Sequence, residues 1–435
     1  MSDPVGGARL QRVQLKRKAL ESYRRVVGDD EIAAIRSLAS ELRGARILEL
    51  SSTATGGGVA ELLSSLVPLQ RDVGLDVQWN VIPGDAEFFE FTKALHNGLQ
   101  GMPVALTPAR REEYLRHNAA YAAALDDGWD VVIVHDPQPA AVRSLLPNAG
   151  RTRWIWRCHV DSSTPDPAAW EFLRPFVERH DRAVFTLAQF VPADLSIPVT
   201  LVKPAIDPLS SKNRELPGYL ARETVAELGL DVARPLMIQV SRFDPWKDPL
   251  GVVEVWRRAR AVFPELQLGM IGAMASDDPQ GWRIYEQLDA EVHGEPDCFL
   301  LTNQLGVTAH EVNALQRVAD VVVQKSVREG FGLVVSETLW KGTAMVAGRV
   351  GGIPTQLEDG VSGRLAEGLD EFAAVVCELL EHPTRARELG TAGWRRVRED
   401  FLITRLLRDQ LVLLADVLRT PGASRDEPSP RVAAG

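Results

Sequence analysis

Gln324 to Lys341 reads QKSVREGFGLVVSETLWK. The apolar run Val321, Val322, Val323 ends here in polar residues, and a carboxylate and two glycines then open what reads as a helix. The order is strand, tight loop, helix start. Gly330 and Gly332 let the backbone come close to a ligand, and the N–H groups of Gly332, Leu333 and Val334 form an anion site at the start of the helix. Glu329 and Glu337 flank that site. Carboxylates repel a phosphate, so these two suit the hydroxyl groups of a sugar or ribose. The stretch points to a phosphorylated, hydroxyl-rich ligand held at the carboxyl end of a strand.

Working outward, the same strand, loop and helix pattern recurs along the chain. Residues 8–43 carry apolar positions at helical spacing (Ile32, Ile35, Leu38, Leu42) and predict one or two surface helices. Arg46 to Ser52 is the first strand, Thr53 to Gly58 turns into a helix near Val59, and further strands are expected at 76–82, 131–134, 154–158, 183–187 and 200–202. Six strands make a first domain. A polar connection and a helix (Tyr219–Leu228) follow, and strands resume at 236–241, 266–271, 299–302, 321–324, 344–347 and 363–366. The expected organisation is a leading domain over 1–210, a second over 211–400, an amphipathic helix over 401–419 packing across the domains, and a disordered tail over 420–435. Alternating strands and helices in two blocks give an α/β protein of two Rossmann-like, doubly wound domains. Because such sheets bind at the carboxyl ends of their strands, the pair implies a cleft between domains.

A chain of 435 residues is long for one core, which agrees with two domains. The net charge of −10 disfavours a nucleic-acid or acidic-membrane partner. No apolar run has the length of a membrane span and residue 1 is not followed by a signal-peptide core, so a cytoplasmic protein is expected. Three widely spaced cysteines, Cys158, Cys298 and Cys377, form no disulfide framework or zinc pattern.

Ser241 to Asp248, SRFDPWKD, follows the first strand of the second domain and places Arg242 and Lys247 on one loop. An arginine fork and a lysine point charge together suit a diphosphate leaving group; a solvated loop is the bland alternative, outweighed by the second anion site in the same domain. Gly56, Gly57 and Gly58 resemble a phosphate-binding turn only loosely, match neither nucleotide fingerprint, and are equally explained by a turn needing positive φ. His135-Asp136 and His159-Val160-Asp161 are polar groups at the ends of buried strands, where ligand-binding side chains belong. Their spacing is not a metal pattern, and no protein-held metal is expected. His96 to Gly101, HNGLQG, reads as a loop whose amides can bind sugar hydroxyls or simply cap a turn.

Together these residues carry a family resemblance. EGFGLVVSE (Glu329–Glu337) resembles the EX7E motif of the GT4 family of retaining GT-B glycosyltransferases, with SRFDPWKD resembling its phosphate-gripping loop; GGIP (Gly351–Pro354) and EDGVSGRL (Glu358–Leu365) are similar to that family's second domain. STATGGGVAELL, LHNGLQG, HDPQP, WRCHVD and KPAIDPLSSKN are similar to its trehalose glycosyltransferring synthases.

The resemblance implies the GT-B fold and glucose transfer from a nucleoside-diphosphate glucose to free glucose, giving α,α-trehalose reversibly. It implies that Arg242 and Lys247 bind the donor diphosphate and Glu337 the ribose. Glu329 meets the donor sugar near C3 and C4, and the backbone of Gly330, Phe331, Gly332, Leu333 and Val334 fixes sugar and phosphate. His159 matches a histidine that meets the donor sugar near C6. Asp136, Asp161 and Asn97 are candidates for the acceptor glucose, and Gly57 and Gly58 approach the phosphates. No tightly bound cofactor is implied; Mg2+ would act through the nucleotide. The expected partners are nucleoside-diphosphate glucose, glucose and trehalose, with a homodimer as the default assembly. The rivals are a retaining trehalose phosphorylase, a sucrose- or glycogen-type synthase, and a nucleotide-sugar-binding protein without transfer activity. Retention of Glu329, Glu337, Arg242 and Lys247 argues against the last.

Overall fold

The computed structural model describes residues 9–146, 150–274 and 279–420. The expected disordered tail lies, from residue 421, outside the described residues. The chain divides into two compact units: one runs to Lys203 and takes in the residues from Leu406 onward, the other is Pro204–Arg405. Among the described residues no helix is long and apolar enough to cross a membrane.

The first unit holds a seven-stranded sheet of β1 (Gln11–Arg12), β2 (Arg46–Ser51), β3 (Asp76–Val81), β4 (Val131–His135), β5 (Arg153–Arg157), β6 (Arg182–Phe185) and β7 (Val199–Leu201), in the order β1-β3-β2-β4-β5-β6-β7. Every pairing is parallel except that of β1, which runs antiparallel along β3 with Gln11 opposite Val81. The six expected strands are therefore joined by a seventh. Its two residues are both exposed and carry no apolar alternation, so the pattern that marks a buried strand is missing there. The parallel strands are continuous apolar runs because both faces are covered: β4 (VVIVH) is buried along its whole length. Trp79, Trp154, Trp156, Phe88, Phe91, Tyr114 and Tyr121 fill the layer around them.

The second unit holds β8 (Leu236–Val240), β9 (Gln267–Gly272), β10 (Cys298–Thr302), β11 (Val321–Gln324), β12 (Met345–Gly348) and β13 (Arg364–Ala366), all parallel, in the order β10-β9-β8-β11-β12-β13. The strand order reverses between β8 and β11, as it does between β2 and β4 in the first sheet. Those reversal points leave a crevice at the carboxyl ends of the strands, the usual ligand position in such sheets. Helix starts are chemically specified: Asp248 caps Pro249–Arg260, its carboxylate accepting from the Gly251 N–H at 3.1 Å, and Thr308 with Glu311 forms a capping box on Ala309–Val318.

One correction concerns the first unit. His96–Gly101 is mostly not a loop: His96 to Leu99 close the helix Ala86–Leu99, only Gln100 and Gly101 form the turn beyond it, and the Asn97 carbonyl accepts from the Gln100 and Met102 N–H groups. Gly98 is small for packing, since a Cβ there would lie 2.4 Å from Val104 and 2.8 Å from Ala169. The leading segment supplies short helices over Leu20–Tyr23 and Arg24–Val27 and a longer one over Asp29–Ser40, which buries Ile32, Ile35 and Ala39.

Candidate functional site

In the second unit, the loops that follow β8 and β11 meet at the reversal point. Trp246 C=O accepts from the Val327 N–H at 2.9 Å, and Gln239, inside β8, donates from its side chain to the Lys247 carbonyl at 2.8 Å. Lys247 thereby lands on Glu329, with which it forms a largely buried ion pair; Ser326 Oγ donates to the same carboxylate oxygen at 3.1 Å. A second ion pair, Lys325 with Asp248, ties the loops again. Arg242 is half exposed (46 %) and reaches Asp244 at 3.4 Å, so its guanidinium stands at the rim of this group.

The glycine-rich turn after β11 is held from outside. Gly332 lies at φ 81°, where a side chain is strained, and is the N-cap of the helix Leu333–Trp340 with no side-chain cap. The Val335 N–H is spent on the Gly332 carbonyl and the Ser336 N–H on Gln356 Oε1 at 3.0 Å, so the anion site reduces to the N–H groups ahead of them, those of Gly332, Leu333 and Val334. Gln356 also donates to the Gly332 carbonyl at 3.3 Å. Gly351 presses on the turn from the other side: at φ 52°, a Cβ there would overlap the Glu329 carbonyl oxygen at 1.6 Å. Phe331 is buried with its ring 5.7 Å from that of Phe401, which leaves only its backbone for a ligand.

Glu337 is 2 % exposed. One carboxylate oxygen meets Lys212 Nζ at 3.3 Å, and Oε2 is buried without a partner. A buried acceptor left open is costly unless something completes it, and a ligand hydroxyl is the matching donor.

In the first unit the candidates also gather at the reversal point. Asp136, just after β4, sits in the left-handed region (φ 62°), a strained place for a residue other than glycine. Its backbone is pinned by N–H donation to Arg157 O and by Trp156 Nε1 donating to its own carbonyl, both at 2.9 Å, and its carboxylate accepts from the His159 N–H at 2.9 Å. Burial raises the Asp136 carboxyl above the usual range, against the pull of His96, the His159 N–H, His135 and Arg157. Burial, together with Arg157, His135 and His96, holds the His159 imidazole well below its ordinary value, so it is neutral near pH 7. His159 Nε2 meets His135 Nδ1 at 2.8 Å, and His135 Nε2 meets Glu49 Oε2 at 2.7 Å. One Asp161 oxygen is taken by the Ser163 N–H at 3.0 Å and hydroxyl at 2.6 Å. Of the glycine run only Gly56 has positive φ (81°). The turn therefore accounts for Gly56, whereas Gly57, extended at φ −160°, faces open space and opens a helix, Gly58–Asp72, that has no side-chain cap.

Sequence reasoning assigned no role to Glu49, Lys212 or Gln356, and named His96 only as the start of a sugar-binding or capping loop. Glu49 carried a signal, an acid in the middle of an apolar strand; the others become visible only through long-range contacts. Also unforeseen is the group Asp85, Glu113 and His117, whose ligand atoms lie within 4.8 Å of one another and could hold a cation. Arg116 already pairs with Glu113, balancing that charge.

Comparison with known proteins agrees with this layout. Residues 49–192 match the family described as "Trehalose synthase, N-terminal domain", and residues 221–396 match "Glycosyl transferases group 1". A trehalose synthase of Rubrobacter xylanophilus is 49 % identical over 94 % of this chain and 99 % of its own. A trehalose phosphorylase of Pleurotus pulmonarius is 30 % identical over 81 % of this chain, but over only 54 % of its own length. Among solved structures, a UDP-forming α,α-trehalose-phosphate synthase of Burkholderia xenovorans, in complex with glucose-6-phosphate, superposes with a TM-score of 0.67 at 17 % identity, covering 86 % of this chain and 100 % of its own. That likeness bears on the fold, which is of the GT-B type. With two Rossmann-like units, an EX7E turn at the switch point of the second, and 49 % identity to a trehalose synthase over nearly the full length of both chains, the chain belongs to the trehalose synthase family of group 1 glycosyltransferases.

Proposed function

We propose that the protein transfers glucose, with retention, from a nucleoside-diphosphate glucose to free D-glucose, forming α,α-trehalose reversibly. The observation that carries this reading is the 49 % identity to a trehalose synthase over nearly the whole of both chains. The phosphorylase reading has weaker support, because the corresponding relative is 30 % identical and about twice as long as the part it shares. A nucleotide-sugar donor is supported further by the UDP-forming structural neighbour.

The residues take the following roles. Arg242 and Lys247 bind the donor diphosphate and stabilise the charge that develops on it as the glycosidic bond breaks. Glu329, which pairs with Lys247, orients that lysine and meets the donor sugar near C3 and C4. Glu337 offers its open Oε2 to the ribose hydroxyls. The backbone of 330–334 fixes sugar and phosphate, and His159 meets the donor near C6. Asp136, Asp161 and Asn97 serve the acceptor glucose, and Gly57 and Gly58 the phosphates. The first unit is the acceptor-binding domain and the second the nucleotide-sugar domain. The departing phosphate oxygen takes the acceptor proton on the same face, so no separate base is needed. Mg2+ acts only through the nucleotide, and the assembly is a homodimer, to be checked by sedimentation.

The test is product identification. The protein is incubated with ADP-, UDP- and GDP-glucose plus glucose, and separately with trehalose plus phosphate. Nucleotide-dependent formation of a trehalase-sensitive disaccharide is expected. Phosphorolysis in place of it would overturn the reading.

A further inference from the structure

Glu49 lies in the middle of β2, 1 % exposed, and its Oε2 is bonded to His135. A buried carboxylate is costly unless it is paired and hydrogen-bonded, and with Glu49 Oε1 buried without a partner that task falls to the Oε2–His135 bond. The register places the partners. Glu49 stands opposite Ile133 on β4, so His135 is two residues further along on the same face; His135 stands opposite Arg157 on β5, so His159 is again two residues further. Glu49 on β2, His135 on β4 and His159, two residues past the end of β5, form a diagonal line of side chains at the reversal point. The imidazoles lie within 19° of a common plane with centroids 5.1 Å apart, meeting edge to edge along the nitrogen–nitrogen contact.

With Glu49 as a carboxylate and His135 as a neutral imidazole, hydrogen-bond chemistry sets the protons. A carboxylate only accepts, so His135 Nε2 carries the hydrogen. The Nδ1 of a neutral His135 is therefore bare and must accept, which places a hydrogen on His159 Nε2. His159 is neutral, so its Nδ1 is left with a lone pair. We propose that Glu49, acting through His135, is a positioning residue that holds His159 as the Nε2–H tautomer, making its Nδ1 an acceptor for a sugar hydroxyl. The last clause rests on the donor-sugar role of His159 proposed above; the relay itself does not. An imidazolium at His135 would reverse the second bond and give His159 the opposite tautomer, so the two arrangements are distinguishable.

The experiment uses the full chain labelled with 15N-histidine, reading tautomers from long-range proton–nitrogen correlations. In the wild type, His159 is expected as a single tautomer with Nε2 protonated and Nδ1 bare. In E49Q, whose amide can present either its donor or its acceptor to His135, that single signature is expected to give way to a mixture. Kinetics add a second readout. A nucleoside-diphosphate glucose with fluorine in place of the C6 hydroxyl cannot donate to Nδ1, so the wild type should discriminate against it in kcat/KM. E49Q should narrow that ratio on the order of tenfold, as expected for one hydrogen bond. The wild-type spectrum tests the relay even if E49Q does not fold. A His159 protonated on Nδ1 in the wild type, or an unchanged tautomer in a folded E49Q, overturns the proposal. The expected tautomers with no discrimination by the wild type would support the relay and overturn the placement of His159 at the donor sugar.

Discussion

Arg242 and Lys247 share a proposed task but differ in their surroundings, and that difference separates binding chemistry from stability. Arg242 is half exposed, with Asp244 3.4 Å away, whereas Lys247 is mostly buried against Glu329. Arg242→Ala should leave folding stability within about 0.5 kcal/mol while lowering turnover about 10²-fold, the scale of one lost transition-state charge contact. Lys247→Ala should lower turnover similarly and also destabilise the fold, because Glu329 loses its cation. Urea unfolding beside steady-state rates decides it, and near-normal turnover would remove the residue from the mechanism. His180 makes a prediction unrelated to catalysis. Its ring is buried, Nδ1 faces the Phe176 and Val177 carbonyls at 3.1 Å, and burial pushes its imidazole down to about 4 against those two carbonyls. Above pH 6.5 folded and unfolded chains hold the same proton count at this residue. Between pH 6.5 and 4 only the unfolded chain takes up the proton, so stability falls as pH falls, by up to about 3 kcal/mol. His180→Asn, which can keep the donor, should flatten that part of the stability profile. An unchanged slope would show that other groups dominate.

At the scale of elements, the turn after β11 depends on the turn after β12. Gly351 has positive φ, and its Cα approaches the Glu329 carbonyl so closely that no Cβ fits. Gly351→Ala should cost at least about 1 kcal/mol from backbone strain alone and more from the overlap. The main effect should be on kcat/KM, since Glu329 must move; unaltered kinetics would show that the turn is not held from this side. This dependence was only partly legible beforehand, because GGIP is visible in the sequence while its contact with Glu329, more than twenty residues earlier, is not. Strands β4, β8 and β11 were readable since doubly covered parallel strands are continuous apolar runs. The helical end of Ala86–Leu99 was misread because Asn97 and Gly98 are turn-type residues, yet the helix tolerates them: Gly98 is needed there for close packing. Arg242, Lys247 and Glu329 were legible as candidates because each sits on a loop that follows its strand, and Glu337 because it falls eight residues after Glu329 on the helix that the loop opens. The line Glu49, His135, His159 needed strand register, which no local pattern supplies.

For the whole molecule, two units with separate cores and separate candidate residues predict two separable ligand footprints. Hydrogen exchange with a nucleoside diphosphate alone should show its main protection over residues 239–251 and 325–357, with a smaller effect at Gly57 and Gly58. Glucose alone should protect residues 96–101, 135–142 and 157–163. A nucleotide footprint confined to the first unit would reverse the proposed division of labour. A last consequence comes from β1, the two-residue strand that sequence patterning overlooked. It lies antiparallel along β3, and the Val13 N–H adds a bond to the Trp79 carbonyl at 2.9 Å. Without it the first sheet would end on β3, with a row of unpaired backbone groups open to any other extended chain. β1 itself is only two residues long, and its Gln11 and Arg12 are exposed and polar, a poor template for further addition. The segment thus serves as a guard against aggregation, and proteolysis or truncation before Lys16 would convert a closed border into a sticky one without touching a single residue proposed for catalysis.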